Sequence, residues 1–462
     1  MFDNTRAAGS TGWTVMGGGA LGAALATAAC GGLFFDLFVA DRWDDWFPAA
    51  DPLADLAGVD ASGIDWLTVH RELLPGYILA LNRGDAELAK AALQSAVASD
   101  PALVAAVDQM KSAADAQDFD AISAAFRFWN GRMDALGVPW FASPAGGQSL
   151  YAKTYRTLWD GSATIGAVSP RIRLLTRVDR LNVVEGYLGA VSDPAEGALV
   201  VVDRVAEHAA DDLWPLLDPE SLDPMAGPVS VEVKAWLTGD QFEVLAATAP
   251  DRARLIAAVR DIRERACSRF VVNDIPARGF PEDDLAVFAE TAWSERGQSC
   301  PSVKAAESAA IREASGALAD ADGLPEALDG LLAFSLRATA IHESRHLGDL
   351  LAFGDLEAVP CPGCPEGESL GRGELSAYLS SFAAPDVASC AWVQACAATR
   401  RGWGSHAAAF GAIAGVLSHD PCDVAIPPGL PERAHELEID WLMREDPVTL
   451  SAEFPRRVRW PN

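Results

Sequence analysis

The segment 325–353 constrains this chain more than any other. Its apolar residues recur at three-and-four spacing, with no proline after Pro325, so it reads as one long helix. Ile341, Leu347, Leu350 and Leu351 surround its polar residues, which puts the helix inside the molecule. Within it stand His342, Glu343 and His346, in the order H-E-x-x-H. A spacing of four sets two side chains on one helical face, one turn apart, so both imidazoles can reach a single metal ion. Glu343 sits at the rim of that face, where it can hold a water that the metal polarises. The plainer alternative is two histidines on a solvated face, and the apolar neighbours weigh against it.

A hydrolytic zinc site needs three protein ligands and one open position. Position 352 is Ala352, which excludes the metzincin pattern of a further histidine there. A glutamate on a following helix is the other common solution. "GRGELSAYLSSF" offers Glu374, with Ala377 three residues on. H-E-x-x-H followed by E-x-x-A on a later helix resembles the gluzincin group of zincin metallopeptidases, over the last third of the chain only. The resemblance implies Zn2+ as cofactor, His342, His346 and Glu374 as ligands, and Glu343 as general base. It implies a peptide or protein substrate. Family members also set a histidine or tyrosine over the developing oxyanion, and Tyr378 and His406 are the candidates. His406 also suits a plain role near a helix start, with Ser405 as N-cap. Asp349, three after His346, is a candidate acceptor for the outer N–H of a ligand histidine, or a surface carboxylate. His70, His208, His419 and His435 are isolated and read as surface or structural residues.

No charged residue falls between Arg6 and Asp36. "GWTVMGGGALGAALATAACGGLFF" is long enough to cross a bilayer as a helix. Arg6 precedes it; Asp36, Asp41, Asp44 and Asp45 follow, which points to an inside N-terminus and an exported body. Trp43, Trp46 and Phe47 suit a membrane interface. Residues 1–48 therefore read as a membrane anchor or signal segment. Apolar sequence continuing to Val39 favours an uncleaved anchor. A lipoprotein with Cys30 lipidated, a cleaved signal and a buried cytosolic helix are the alternatives. The three export routes agree on an extracytoplasmic protein, periplasmic or at the cell surface.

In an oxidising compartment several of the remaining seven cysteines should pair. Cys361 and Cys364 form a C-P-G-C. A redox motif would need a strand before it and a helix after it. Half of a zinc knuckle with Cys390 and Cys396 is a second reading. Disulfides among these four, bracing the loop between the two ligand-bearing helices, are preferred.

Residues 49–145 carry helical periodicity. Residues 146–280 read as a mixed sheet region. "LYAKTYRTLW" and "GALVVVDRV" are rich in β-branched and aromatic residues, "VSVEVKAWL" at 229–237 alternates as a strand should, and 269–276 is a further candidate strand. Residues 281–462 return to helices, at roughly 281–296, 302–320, 325–353, 372–383, 387–400, 405–418 and 431–444. The expected fold class is α+β: an N-terminal membrane anchor, a helical region, a central β-sheet region, then a mainly helical zincin-like metal-binding domain.

A net charge of −29 repels phosphate backbones, so nucleic acid is not an expected partner. No G-x-x-x-x-G-K-[ST], strand-following G-x-G-x-x-G or G-x-S-x-G occurs. Two functions remain. One is a membrane-tethered, zinc-dependent hydrolase, a metallopeptidase by resemblance. The other is a non-catalytic scaffold or accessory subunit of a membrane complex. Glu343 favours the first, because a structural site needs ligands but no general base.

Overall fold

The computed structural model describes residues 59–461 apart from 60, 147–149, 180, 182–187, 192, 266–274, 286–302, 366–370, 401–403, 418–421 and 423–424. A helical turn at Trp66–Thr68 and a π-helical stretch at Val69–Leu73 lead into α1 Leu74–Arg83, α2 Glu87–Ala96, α3 Pro101–Asp115 and α4 Phe119–Ala135. Aspartates set two of the starts. Asp100 accepts from the backbone N–H of Ala102 and Leu103 ahead of α3, and Asp118 from that of Ala121 ahead of α4. Leu74, Tyr77, Val107, Met110, Phe126, Trp129 and Met133 interlock into a core of their own. Its most deeply buried polar side chains, His70, Asp100 and Arg132, are paired. Arg132 grips Asp100 through Nε to Oδ2 at 2.6 Å and Nη2 to Oδ1 at 3.1 Å. His70 stacks on Trp140, and its Nε2 accepts from Trp129 Nε1 at 3.2 Å. That leaves Nδ1 to donate to Trp66 O at 3.0 Å. Burial pushes the His70 pKa down to about 4, so the ring is neutral.

The strands are β1 Trp140–Gly146, β2 Leu150–Thr164, β3 Arg171–Arg177, β4 Gly189–Val191, β5 Ala198–Val201 and β6 Thr449–Leu450. Their order is β1-β2-β3-β5-β4, with β6 paired to the far end of β2. Only β3 and β5 run parallel. The sheet curls into a half-barrel, and β2 carries a bulge between Thr157 and Trp159. Strand alternation divides its side chains. Ile172, Leu174, Ala198 and Val200 enter the main core, while Leu175, Leu199 and Val201 cluster with Phe141 and Tyr155.

Helices make up most of the rest: α5 Val202–His208, α6 Ala226–Trp236, α7 Gly239–Arg265, α8 Ala305–Asp320, α9 Leu324–Phe353, α10 Arg372–Phe382, α11 Ala388–Arg400, α12 Gly404–Leu417 and α13 Leu430–Leu442. The long α9 packs against β4, β5, α7 and α10. It is buried over most of its length, as its apolar surroundings require.

This arrangement corrects the expected α+β succession of anchor, helical region, sheet region and zincin-like helical domain. The protein is mixed helical with one curled sheet, and that sheet shares its main core with the C-terminal helices. The sheet opens at Trp140 and gives way to helix at Val202, far short of 280. The strand expected at 229–237 lies in α6. Val229 and Val233 are buried there while Val231 is 71% exposed. Residues four apart share a helical face as readily as a strand face, and packing of that stripe decides. Residues 275 and 276 are not in a strand; the rest of the strand expected at 269–276 and most of the helix expected at 281–296 lie outside the described residues. So do the anchor expected at 1–48 and Cys30. No described helix is long and apolar enough to cross a membrane.

Candidate metal centre

Three helices supply the centre. α9 carries His342, Glu343 and His346 midway along its buried length. Glu374 lies in the first turn of α10 and His406 near the start of α12. A close approach of backbones brings these two helix starts together. Gly371, at the N-cap of α10, has φ +58°, and a Cβ there would meet Ser405 O at 3.1 Å. Glycine satisfies both conditions. The partial positive charge of a helix N-terminus favours a carboxylate at Glu374.

The donors converge on one point. His342 Nε2 lies 3.1 Å from His346 Nε2, and these atoms lie 3.3 and 3.5 Å from Glu374 Oε2. His406 Nδ1 is 3.0 Å from the same oxygen. Bonds of about 2.0–2.1 Å to tetrahedral corners separate neighbouring donors by about 3.3–3.4 Å, so these spacings suit one small ion. Glu374 Oε2 has three imidazole nitrogens within 3.5 Å, yet none meets it with hydrogen-bond geometry. Donors directed at a shared centre rather than at each other produce that pattern. His342, Glu374 and His406 thus form a group that can hold a metal ion, their ligand atoms all within 4.8 Å. His346 stands outside that group of mutual neighbours, while its Nε2 keeps the contacts to His342 and Glu374 just given. Side-chain exposure rises from 7% at His346 to 23% at His406, so the centre is sealed within α9 and open towards α12.

The electrostatics follow from burial and crowding. Burial pushes His342 down to about 4. Burial acts the same way on His346, but the carboxylates of Glu374, Glu343 and Asp349 outweigh it and raise its pKa to about 9. Burial opposes charge on Glu374, yet the nearby His406 and His346 hold it well below the usual carboxylate range. Burial raises Glu343 to about 7. The crowding at Glu343 is steric as well. It lies against β4, where a Cβ on Gly189 would stand 2.5 Å from Glu343 Cγ. Tyr378 O–H lies 2.8 Å from His406 Nδ1, and its ring meets His342 edge-on with centroids 4.8 Å apart. Burial raises the Tyr378 pKa well above its ordinary value, so the phenol keeps its proton.

Asp349 departs from expectation. It makes no hydrogen bond to a ligand histidine, and its Oδ1 accepts from Arg444 Nη1 at 2.7 Å. His346 Nδ1 and Asp349 Oδ2 are both buried and lack hydrogen-bond partners among the described residues. Behind the centre runs a polar network that sequence reading missed. Arg345 Nε donates to Ser380 Oγ at 2.7 Å, and Ser380 Oγ donates to Glu438 Oε1 at 2.6 Å. Arg444 Nη1 also donates to Ser376 Oγ at 2.7 Å. These contacts tie α9, α10 and α13 together. The available signal was Arg345 itself: an arginine inside a buried helix requires partners.

The disulfides expected among Cys361, Cys364, Cys390 and Cys396 are present in part. Cys361 pairs with Cys364 and Cys396 with Cys422, with Cα atoms 5.3 and 5.5 Å apart. Cys390 is buried and free. Neither a knuckle of Cys361, Cys364, Cys390 and Cys396 nor a brace between α9 and α10 is present. The C-P-G-C pair closes only on itself, and Cys396 reaches past α12 for its partner. The loop is held instead by the Gly363 N–H, which donates to Trp441 O at 3.3 Å.

No family model, curated protein or solved structure matches this chain.

Proposed function

We propose that this protein is a zinc-dependent hydrolase acting on peptides. One observation carries the reading: two histidines and a glutamate meet at tetrahedral spacing, with a second carboxylate, Glu343, on the same turn of α9. Nitrogen and carboxylate donors at this spacing suit zinc. When bound, the ion supplies Lewis acidity, lowering the pKa of a water in contact with it to about 7. Glu343, raised to about 7 by burial, is matched to take a proton from an attacking water near neutral pH and to return it to the departing amine. The Tyr378 phenol, protonated and beside His342, is a donor for the oxyanion of a tetrahedral intermediate.

β4 supports a peptide as the substrate class. It ends the strand order and pairs only with β5 among the described residues. Its other edge can add an extended chain by backbone hydrogen bonds. Gly189 on that strand touches Glu343, so a chain held there would pass beside the general base.

Metal analysis of the full-length protein tests the reading together with hydrolysis of an unstructured protein such as casein. The expected result is about one zinc per chain, largely lost in Glu374→Ala. Glu343→Gln should keep the zinc and lose hydrolysis. Undiminished hydrolysis by Glu343→Gln would sink the mechanism, and a wild-type protein that takes up no metal would sink the site.

A further inference from the structure

The centre holds one donor too many. Three protein ligands leave a tetrahedral ion an open position; four close it. His342, His346 and Glu374 already make three, and His406 Nδ1 lies as close to Glu374 Oε2 as any of them. The same Nδ1 lies 2.8 Å from the Tyr378 hydroxyl. A ring nitrogen has one in-plane lone pair. It can coordinate an ion or accept a hydrogen bond from the Tyr378 hydroxyl, and it cannot do both.

We propose that His406 is a fourth, exchangeable metal donor, shared between the ion and Tyr378, so that the resting centre is closed and opens when His406 turns to Tyr378. This rests on the metal reading above and goes beyond it, since neither hydrolysis nor zinc binding requires a fourth donor. The surroundings of the four donors differ in the way such an exchange requires. His342 and His346 sit mid-helix in α9, locked by packing on a buried face. Glu374 is pinned where Gly371 meets Ser405. His406 lies near the start of α12 and is the most exposed of the four. Tyr378 is the fixed partner: it is 4% exposed and wedged among His342, Phe382 and Phe410. Exchange therefore needs only the His406 side chain to move.

The arrangement gives Tyr378 a second task. A phenol that donates to His406 holds the imidazole off the ion; a phenol that donates to a substrate oxygen releases it. Opening of the centre and stabilisation of substrate thus compete for one O–H group.

Cobalt substitution tests this without relying on activity. Full-length protein loaded with Co2+ is compared with its His406→Ala and Tyr378→Phe forms by d–d absorption and by the imidazole count from X-ray absorption. The wild type should show a share of centres with three imidazoles. His406→Ala should show two, a changed cobalt spectrum and roughly tenfold weaker cobalt affinity. Tyr378→Phe, having lost the competitor, should move to three imidazoles throughout and bind cobalt several-fold tighter. An identical spectrum and imidazole count in wild type and His406→Ala would overturn the inference and leave the three-ligand site standing. So would a Tyr378→Phe form that loses an imidazole. Wild-type protein that takes up no cobalt would instead overturn the metal site itself, a failure legible from the wild type alone.

Discussion

Two of the places where this protein buries histidine treat it in opposite ways. In the N-terminal core, His70 has both ring nitrogens engaged, by Trp66 O and Trp129 Nε1, and a stacked indole beside it. In the centre on α9, two Nε2 atoms face each other at 3.1 Å, and His346 Nδ1 has no partner among the described residues. A buried polar group without a partner costs free energy, and folded proteins rarely leave several together. Where they do, the arrangement suits a ligand better than it suits the apo fold. What sets the candidate ligands apart is that several donors converge, since the isolated His208 also has a buried Nε2 without a partner among the described residues.

The comparison breaks most sharply at Glu343. Glu343→Gln should lower kcat by about a hundredfold or more while zinc content stays at the wild-type level, as read by hydrolysis assays beside elemental analysis. Its counterpart is His70→Ala. That change removes two hydrogen bonds and opens a hole against Trp140, so it should cost about 3 kcal/mol of stability in urea titration, with zinc content untouched. Zinc loss in His70→Ala would mean the two histidine sites are not separate in function.

Acid sharpens the same contrast, with opposite signs. The His70 pKa is about 4 in the fold against 6.5 unfolded. Its contribution is therefore present in full above pH 6.5 and lost as pH falls towards 4, up to on the order of 3 kcal/mol. His346, raised to about 9, does the reverse in metal-free protein. Its contribution is present below pH 6.5 and lost as pH rises through 9. Urea midpoints across pH 4–9 should fall at both ends without metal. The acid-side loss should shrink in His70→Ala, and an equal loss in His70→Ala and wild type would show that His70 is not held neutral. The smallest expected effect is at Gly189→Ala. The new methyl displaces Glu343, so kcat should fall about tenfold with zinc retained.

How much of this was legible beforehand depends on distance along the chain. The α9 helix and the shared face of His342 and His346 follow from spacing within a few residues, so they could be read directly. Glu374 was legible through its own local pattern. His406 was only a candidate, because nothing local ties it to α9; the contact at Gly371 does so, and it exists only in the fold. The partners of Arg345 were invisible for the same reason: Ser380 lies on α10 and the Asp446 carbonyl beyond the end of α13. Local ambiguity caused the other errors. β1, "WFASPAG", carries turn-forming residues, yet pairs in full with β2. Val229 and Val233 fit either periodicity until packing chooses one. The curl of the sheet depends on register and on which face each strand buries, neither of which a single segment contains.

The length of β2 has a consequence for how the molecule comes apart. This one strand places Ala152 in the N-terminal core and Ala163 in the main core, and pairs along the way with β1, β3 and β6. Neither core can be taken apart without tearing the same backbone ladder. Amide protons along its middle should therefore exchange last, through global opening, and the two cores should melt in one cooperative step.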